Sequence, residues 1–166
     1  MGGKPAGTLL LFGATGDLAQ RMLLPSLFGL DADGLLPQDL CIVATARSDL
    51  DDQGYRSAAG AALERNIDGE RLKPHQVGRF LGRLRYVPLD ASDPAQFGKL
   101  GESVDTKDGL AIFLSTAPSL FGPTIQGLAS AGLAGDEVRL ALEKPLGSDL
   151  ASSRVINDAV AAVFPE

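Results

Sequence analysis

The sequence predicts an α/β fold in which helices cover both faces of a doubly wound, mostly parallel sheet. Short continuous apolar runs alternate with longer helical patterns along the 166 residues. These runs lack the polar alternation of a half-exposed strand, which is typical of parallel strands buried on both faces. The first run ends in a glycine-rich turn that opens a helix. Together, the three observations predict a single Rossmann-like domain over residues 1–166.

Strands are predicted wherever an apolar run is bounded by turn residues. The five predicted strands are residues 8–12, 40–46, 86–89, 110–114 and 138–142. Pro88 weakens the third strand, because proline cannot donate a ladder hydrogen bond. A complete doubly wound domain has six strands in the order 3-2-1-4-5-6. We therefore expect a truncated domain whose fifth strand is a sheet edge.

Helices are predicted between the strands from apolar residues at helical spacing. They are residues 17–30, two helices within 51–80, and residues 94–100, 121–133 and 148–164. Pro25 lies inside the first helix and predicts a kink there, because it removes a backbone donor.

Composition narrows the class of protein. The net charge is −6, whereas non-specific nucleic-acid binding usually requires a basic face. No apolar run reaches the roughly 18–20 residues of a membrane span, and no secretory signal is visible. Cys41 is the one cysteine and His75 the one histidine, so we expect neither a disulfide nor a metal site. A reduced, cytoplasmic protein is expected.

The turn Gly13-Ala14-Thr15-Gly16 is the first candidate site. It follows a buried strand and opens a helix, which is the context in which backbone amides bind a pyrophosphate. Gly13 permits the tight turn, Gly16 lets amides approach phosphate oxygens, and Ala19 lets the helix pack closely on the strand. The alternative is a plain strand-to-helix turn capped by Asp17. A P-loop is excluded, because no Gly-Lys-Ser/Thr follows.

The end of the second strand indicates which dinucleotide binds. NAD-preferring domains place an acid there, whereas an arginine accommodates the 2′-phosphate of NADP. Here the strand ends at Arg47-Ser48, and both side chains can donate to a phosphate. Asp33 lies nearer the usual offset of the acid, but Asp33-Gly34 is better interpreted as the loop before the strand. The pattern predicts NADP.

Three more loops follow predicted strands at the same edge of the sheet. They contain Asp90-Ala91, Ala117-Pro118 and Lys144. Ligands of open α/β sheets bind outside the carboxyl ends of strands, so these loops should face the glycine-rich turn. Asp90-Ala91 is expected near an adenine. Lys144 would bind a cofactor or substrate phosphate, or pair with Glu143.

Four ordered motifs resemble the glucose-6-phosphate dehydrogenase family. They are the segment 12–19 followed by Leu-Pro-Ser-Leu at 24–27, the strand ending at Arg47, the Ser-Thr-Ala-Pro loop at 115–118, and the segment 143–150 with Ser152. The resemblance extends over essentially the whole chain. It implies oxidation of glucose 6-phosphate to 6-phosphogluconolactone with NADP, in the pentose phosphate pathway.

The resemblance also implies the residues of the site. The cofactor-binding residues would be Gly13, Ala14, Thr15, Gly16, Asp17, Leu18, Ala19, Arg47, Asp90, Ala91, Ala117, Pro118 and Lys144. Lys144 would in addition bind substrate, lying between the nicotinamide and the sugar. A cis Lys144-Pro145 peptide is expected from the same resemblance.

This chain departs from the family pattern in two ways. Met22 stands where family members often have lysine on the substrate side. The family also continues into an antiparallel-sheet domain that supplies the catalytic histidine and the dimer contacts. We therefore expect no catalytic residue within 1–166 and a homo-oligomer only through that second domain.

Two rival functions are considered. Short-chain dehydrogenases share the Gly-x-x-Gly turn but use a Tyr-x-x-x-Lys pair, and here Ala59 and Asp90 stand four residues after the two tyrosines. That rival fails. A non-catalytic NADP-binding sensor or regulatory subunit shares every cofactor feature and remains the alternative.

Overall fold

The computed structural model describes residues 4–143 and 149–164 and contains one five-stranded sheet. The strands are β1 (Thr8–Phe12), β2 (Cys41–Ala46), β3 (Leu84–Pro88), β4 (Leu110–Leu114) and β5 (Val138–Leu142). The α-helices are α1 (Leu24–Ala32), α2 (Asp52–Asn66), α3 (Pro74–Gly82), α4 (Phe97–Ser103), α5 (Phe121–Ser130) and α6 (Leu150–Val163). A π-helical turn, Ala19–Leu23, precedes α1 directly.

The sheet has the order β3-β2-β1-β4-β5, and each adjacent pair is parallel. This is the predicted α/β doubly wound arrangement. β2 and β3 are added on one side of β1, and β4 and β5 on the other. Phe12, the last residue of β1, pairs with Thr45 on one side and Leu114 on the other. The carboxyl ends of β1, β2 and β4 therefore lie side by side at the carboxyl edge of the sheet. β5, the last strand in the order, is an edge strand.

Each face of the sheet has its own core. On one face, Leu10, Phe12 and Ile112 pack beneath α4, α5 and α6. On the other face, Leu11, Ile42 and Ala44 pack beneath α1, α2 and α3. Successive residues of β1 thus point into opposite cores, which is why every residue of the strand after Thr8 is apolar.

The first helix contains an irregularity at the position where Pro25 predicted one. The amide of Leu24 donates to the carbonyl of Ala19, five residues earlier, and proline follows at once. Because Pro25 has no N–H to give, the regular ladder cannot continue through it. The π-helical turn accommodates this interruption, since single π-turns occur within helices without ending them.

Candidate functional site

A cavity of about 650 Å³ lies at the carboxyl edge of the sheet. Its volume lies within the range of small-molecule and cofactor sites. Its residues come from the carboxyl ends of β1 and β2 and from the loops after β1, β2, β3 and β4. They are Phe12, Gly13, Thr15, Gly16, Thr45, Ala46, Arg47, Ser48, Leu89, Asp90, Ala91, Ser92, Ser115, Thr116, Ala117, Ser119 and Leu120. Four loops that are distant in sequence thus meet where the fold places ligands.

Gly13 makes the glycine-rich turn possible for two separate reasons. Its φ is +72°, in the left-handed region that side chains disfavour. A methyl group at this position would also lie 2.9 Å from the Ser115 carbonyl carbon and overlap its oxygen. The loops after β1 and β4 therefore approach each other more closely than any residue with a Cβ allows.

The turn is fixed by backbone hydrogen bonds on both sides. The Ala14 amide donates to the Thr45 carbonyl (3.2 Å), and the Gly16 amide donates to the Gly13 carbonyl (3.0 Å). Helical conformation begins at residue 17, directly beside the cavity. The unpaired amides of a helix N-terminus favour an anion. This arrangement suits the pyrophosphate of a dinucleotide.

Arg47 and Asp90 are the charged residues that line the cavity within the described part of the chain. Arg47 is exposed directly after β2. The Ser48 hydroxyl donates to the Thr15 hydroxyl (3.4 Å), which links this loop to the glycine-rich turn. A cation therefore stands within the same cavity as the proposed pyrophosphate turn.

The Asp90 carboxylate accepts hydrogen bonds from its own loop. The hydroxyl and the amide of Ser92 donate to its carboxylate at 2.6 and 2.9 Å. These two hydrogen bonds, helped by the Arg47 charge, lower the pKa of Asp90 below its usual value. The carboxylate is thus ionised near neutral pH and holds the loop after β3 in a compact turn. Leu89 and Ala91 provide apolar surface beside it.

The structure separates the predicted site residues into two groups. Gly13, Thr15, Gly16, Arg47, Asp90, Ala91 and Ala117 line the cavity, whereas Ala14, Asp17, Leu18, Ala19 and Pro118 do not. Ala14 and Ala19 are fully buried beneath the turn, and Asp17 pairs with Arg21 on the surface at 3.0 Å. Their side chains therefore shape the turn rather than face the cavity. Lys144 and the Lys144-Pro145 peptide lie outside the described residues.

Several cavity residues were not among the predicted set. They include Thr45, Ala46 and Ser92, together with Ser119 and Leu120 in the 3₁₀ turn Pro118–Leu120 that precedes α5. Thr45 and Ala46 precede the predicted Arg47, Ser92 follows Asp90-Ala91, and Ser119 and Leu120 follow Pro118. Extending each predicted loop by one or two residues would have found all five.

Asp33 is confirmed as part of the loop before β2. It caps the carboxyl end of α1, and it lines a separate surface groove with Ser26, Asn66 and Lys73. An acid there cannot reach the cavity beside Gly13. Among residues 4–143 and 149–164, no cluster of His, Cys, Asp or Glu suits a metal ion. None of the helices in these ranges has the length and apolar character needed to cross a bilayer.

The fold and the cavity define the class: a nucleotide-binding Rossmann-like domain. The family described as "Glucose-6-phosphate dehydrogenase, NAD binding domain" matches residues 10–166. The chain belongs to this family, as the four ordered motifs predicted. The cofactor of the family's nucleotide-binding domain is NADP.

Sequence and structure comparisons agree with this assignment. The chain is 58% identical over 160 residues to the glucose-6-phosphate 1-dehydrogenase of Zymomonas mobilis, covering 96% of this chain and 33% of the relative. It is 42% identical over 163 residues to that of Mycolicibacterium smegmatis, covering 95% and 33%. The crystal structure of the Mycobacterium avium enzyme superposes with a TM-score of 0.87 at 31% identity, covering 96% of this chain and 34% of that one. The chain thus spans about a third of the length of these relatives.

Proposed function

We propose that this chain binds NADP in the cavity at the carboxyl edge of its sheet, with the 2′-phosphate on Arg47. The observation that carries the proposal is that Arg47 and the glycine-rich turn line one cavity. Their separation in sequence, 34 residues, is bridged by the pairing of β1 with β2. The pyrophosphate would lie against the helix N-terminus that begins at residue 17, and the adenine against Leu89 and Ala91.

The proposed reaction is the oxidation of glucose 6-phosphate to 6-phosphogluconolactone, as the names of the relatives suggest. NADP would supply the hydride acceptor. This chain's part would be to orient the dinucleotide and hold its phosphates, with Lys144 at the substrate side. His75 lies in α3, and it is not among the residues that line the cavity. The base that takes the sugar hydroxyl proton would therefore come from elsewhere in the protein.

Further features of the proposal follow the same family assignment. We propose a cytoplasmic enzyme that forms a homo-oligomer through a second domain and binds neither nucleic acid nor membrane. No observation favours the alternative of a non-catalytic sensor, whereas the relatives carry the name of an enzyme.

Arg47→Ala is expected to weaken NADP binding about 10- to 150-fold while changing NAD binding little. A charge-assisted hydrogen bond to the 2′-phosphate contributes roughly 1.5–3 kcal/mol, and NAD lacks that group. Titration calorimetry of this chain with each dinucleotide measures both effects. Arg154→Ala is the matched control, because it removes the same charge from an exposed position on α6. Equal affinities of the wild-type chain for NADP and NAD would contradict the proposal.

The chain of residues 1–166 alone is expected to bind NADP without reducing it. A general base within hydrogen-bond reach of the sugar hydroxyl is needed for hydride transfer, and we place that base outside this chain. Absorbance of NADPH, followed with glucose 6-phosphate and saturating NADP, provides the measurement. Activity above that of a Gly13→Ala control would show that the base lies within these residues.

A further inference from the structure

The two tyrosines of the chain, Tyr55 of α2 and Tyr86 of β3, form a stacked pair beneath the proposed NADP site. Their ring centroids are 5.0 Å apart with an interplanar angle of 21°. Tyr55 is 1% exposed and Tyr86 6%. A buried hydroxyl needs a hydrogen-bond partner, so the positions of the two phenol oxygens decide what the pair does.

Tyr55 is attached to the glycine-rich turn. Its hydroxyl donates to the Ala14 carbonyl at 3.2 Å. Ala14 is also bound to β2 through its amide. The turn is therefore held to the sheet through the Ala14 amide and to α2 through the Tyr55 hydroxyl, while the side chains of Gln20 and Ser48 contact it at Thr15.

Tyr86 is attached to the loop that carries Arg47. Its hydroxyl lies 3.0 Å from the Ala46 carbonyl and 2.7 Å from the Ser48 carbonyl, the two residues that flank Arg47. The backbone of Tyr86 is fixed as well, because its amide donates to the Asp52 carboxylate at 2.7 Å. The buried Tyr86 hydroxyl thus contacts the backbone carbonyls of the residues before and after the exposed Arg47.

Both hydroxyls keep their protons at physiological pH. Burial raises the pKa of Tyr55, and the neighbouring Tyr86 raises it further. Burial also raises the pKa of Tyr86, which outweighs the opposing hydrogen bond with Ser48. Tyr55 therefore donates to the Ala14 carbonyl, and the single proton of Tyr86 is shared between the carbonyls of Ser48 and Ala46.

We propose that Tyr86 is a positioning residue for cofactor specificity, which acts by fixing the Arg47 loop, whereas Tyr55 positions the pyrophosphate turn for any dinucleotide. The inference rests on the proposed NADP site. The two roles differ because the two hydroxyls bind different loops. Tyr86 binds the loop of Arg47, which would meet the 2′-phosphate that NAD lacks, whereas Tyr55 binds the turn that would hold the pyrophosphate common to both dinucleotides. The two rings have the same size and both are buried, so each serves as the control for the other.

Tyr86→Phe is expected to lower NADP affinity about 2- to 10-fold and leave NAD affinity within twofold. Phenylalanine keeps the ring and the stack and removes only the hydroxyl, whose net hydrogen bond is of that size. Tyr55→Phe is expected to lower both affinities by the same factor. The ratio of the two dissociation constants is the readout, because general loosening of the domain would change both constants together.

A double-mutant cycle identifies the route of the Tyr86 effect. In an Arg47→Ala background, Tyr86→Phe is expected to leave NADP affinity unchanged, because the hydroxyl then has no arginine to position. If wild-type chain prefers NADP and Arg47→Ala removes the preference, the proposed site stands. An unchanged NADP-to-NAD ratio in Tyr86→Phe would then overturn the specificity role alone. Additive effects in the cycle would overturn it as well.

Discussion

Gly13→Ala is expected to destabilise the chain by about 2–5 kcal/mol and to abolish measurable NADP binding. The left-handed conformation at φ +72° costs a residue with a Cβ about 1–2 kcal/mol. Moving the Ser115 peptide out of the way adds about 1–3 kcal/mol, as overpacking does. The same movement separates the loops after β1 and β4, both of which line the cavity, and so changes its shape. Urea unfolding and titration calorimetry measure the two effects.

Gly34→Ala separates the backbone term from the steric one. Gly34 has nearly the same φ, +71°, but a methyl group there would meet no atom within 4 Å. It lies after α1 and is not among the residues that line the cavity proposed to bind NADP. We expect a loss of about 1–2 kcal/mol and unchanged NADP affinity. Equal destabilisation by the two substitutions would show that the close approach to Ser115 is unimportant.

The strands were predicted best where an apolar run has sharp boundaries. β1, β4 and β5 were predicted with the bounds that the structure has, because turn residues bracket each run. β3 begins at Leu84, two residues before its predicted start, and ends at Pro88 rather than Leu89. The start of this edge strand was missed because Arg85, whose side chain is exposed, interrupts the apolar run. Pro88 is tolerated because it is the last strand residue.

Helix ends were less predictable than helix positions. The predicted helix 121–133 ends at Ser130, and the predicted helix 148–164 is α6, which begins at Leu150. At α6, Asp149 is the N-cap, and it forms a capping box with Ser152 (2.8 Å from the Ser152 amide). Capping depends on one backbone conformation, which a hydrophobic pattern does not encode.

The parts of the site that carry local sequence signals were predicted, whereas its supports were not. Gly13 and Arg47 stand out because a turn and a strand end constrain them. Tyr55 and Tyr86 carry no comparable signal, since their hydroxyl partners Ala14 and Ala46 are 41 and 40 residues away. Such contacts exist only once β1, β2 and β3 are paired. Residues that position a site through tertiary contacts are therefore invisible to pattern analysis.

Asp31→Ala is expected to destabilise the chain by about 3–5 kcal/mol without changing the proposed NADP site. Asp31 is 3% exposed at the end of α1, and its carboxylate lies 2.8 Å from the Arg83 guanidinium. Arg83 also donates to the carbonyls of Pro37 and Leu40, at 2.9 Å each, and so holds the loop before β2. Removing the carboxylate leaves a buried cation unpaired, which costs far more than the pair itself contributes.

Two comparisons test this explanation by urea unfolding. Asp108→Ala breaks the Lys4–Asp108 pair of 3.0 Å, whose side chains are 75% and 71% exposed. It should cost at most about 1 kcal/mol, because solvent screens exposed pairs. The double variant Asp31→Ala with Arg83→Met should be more stable than Asp31→Ala alone, since no buried charge is then left without a partner. A double variant less stable than Asp31→Ala would mean that the Arg83 hydrogen bonds to Pro37 and Leu40, rather than the unpaired charge, dominate the energetics of this corner.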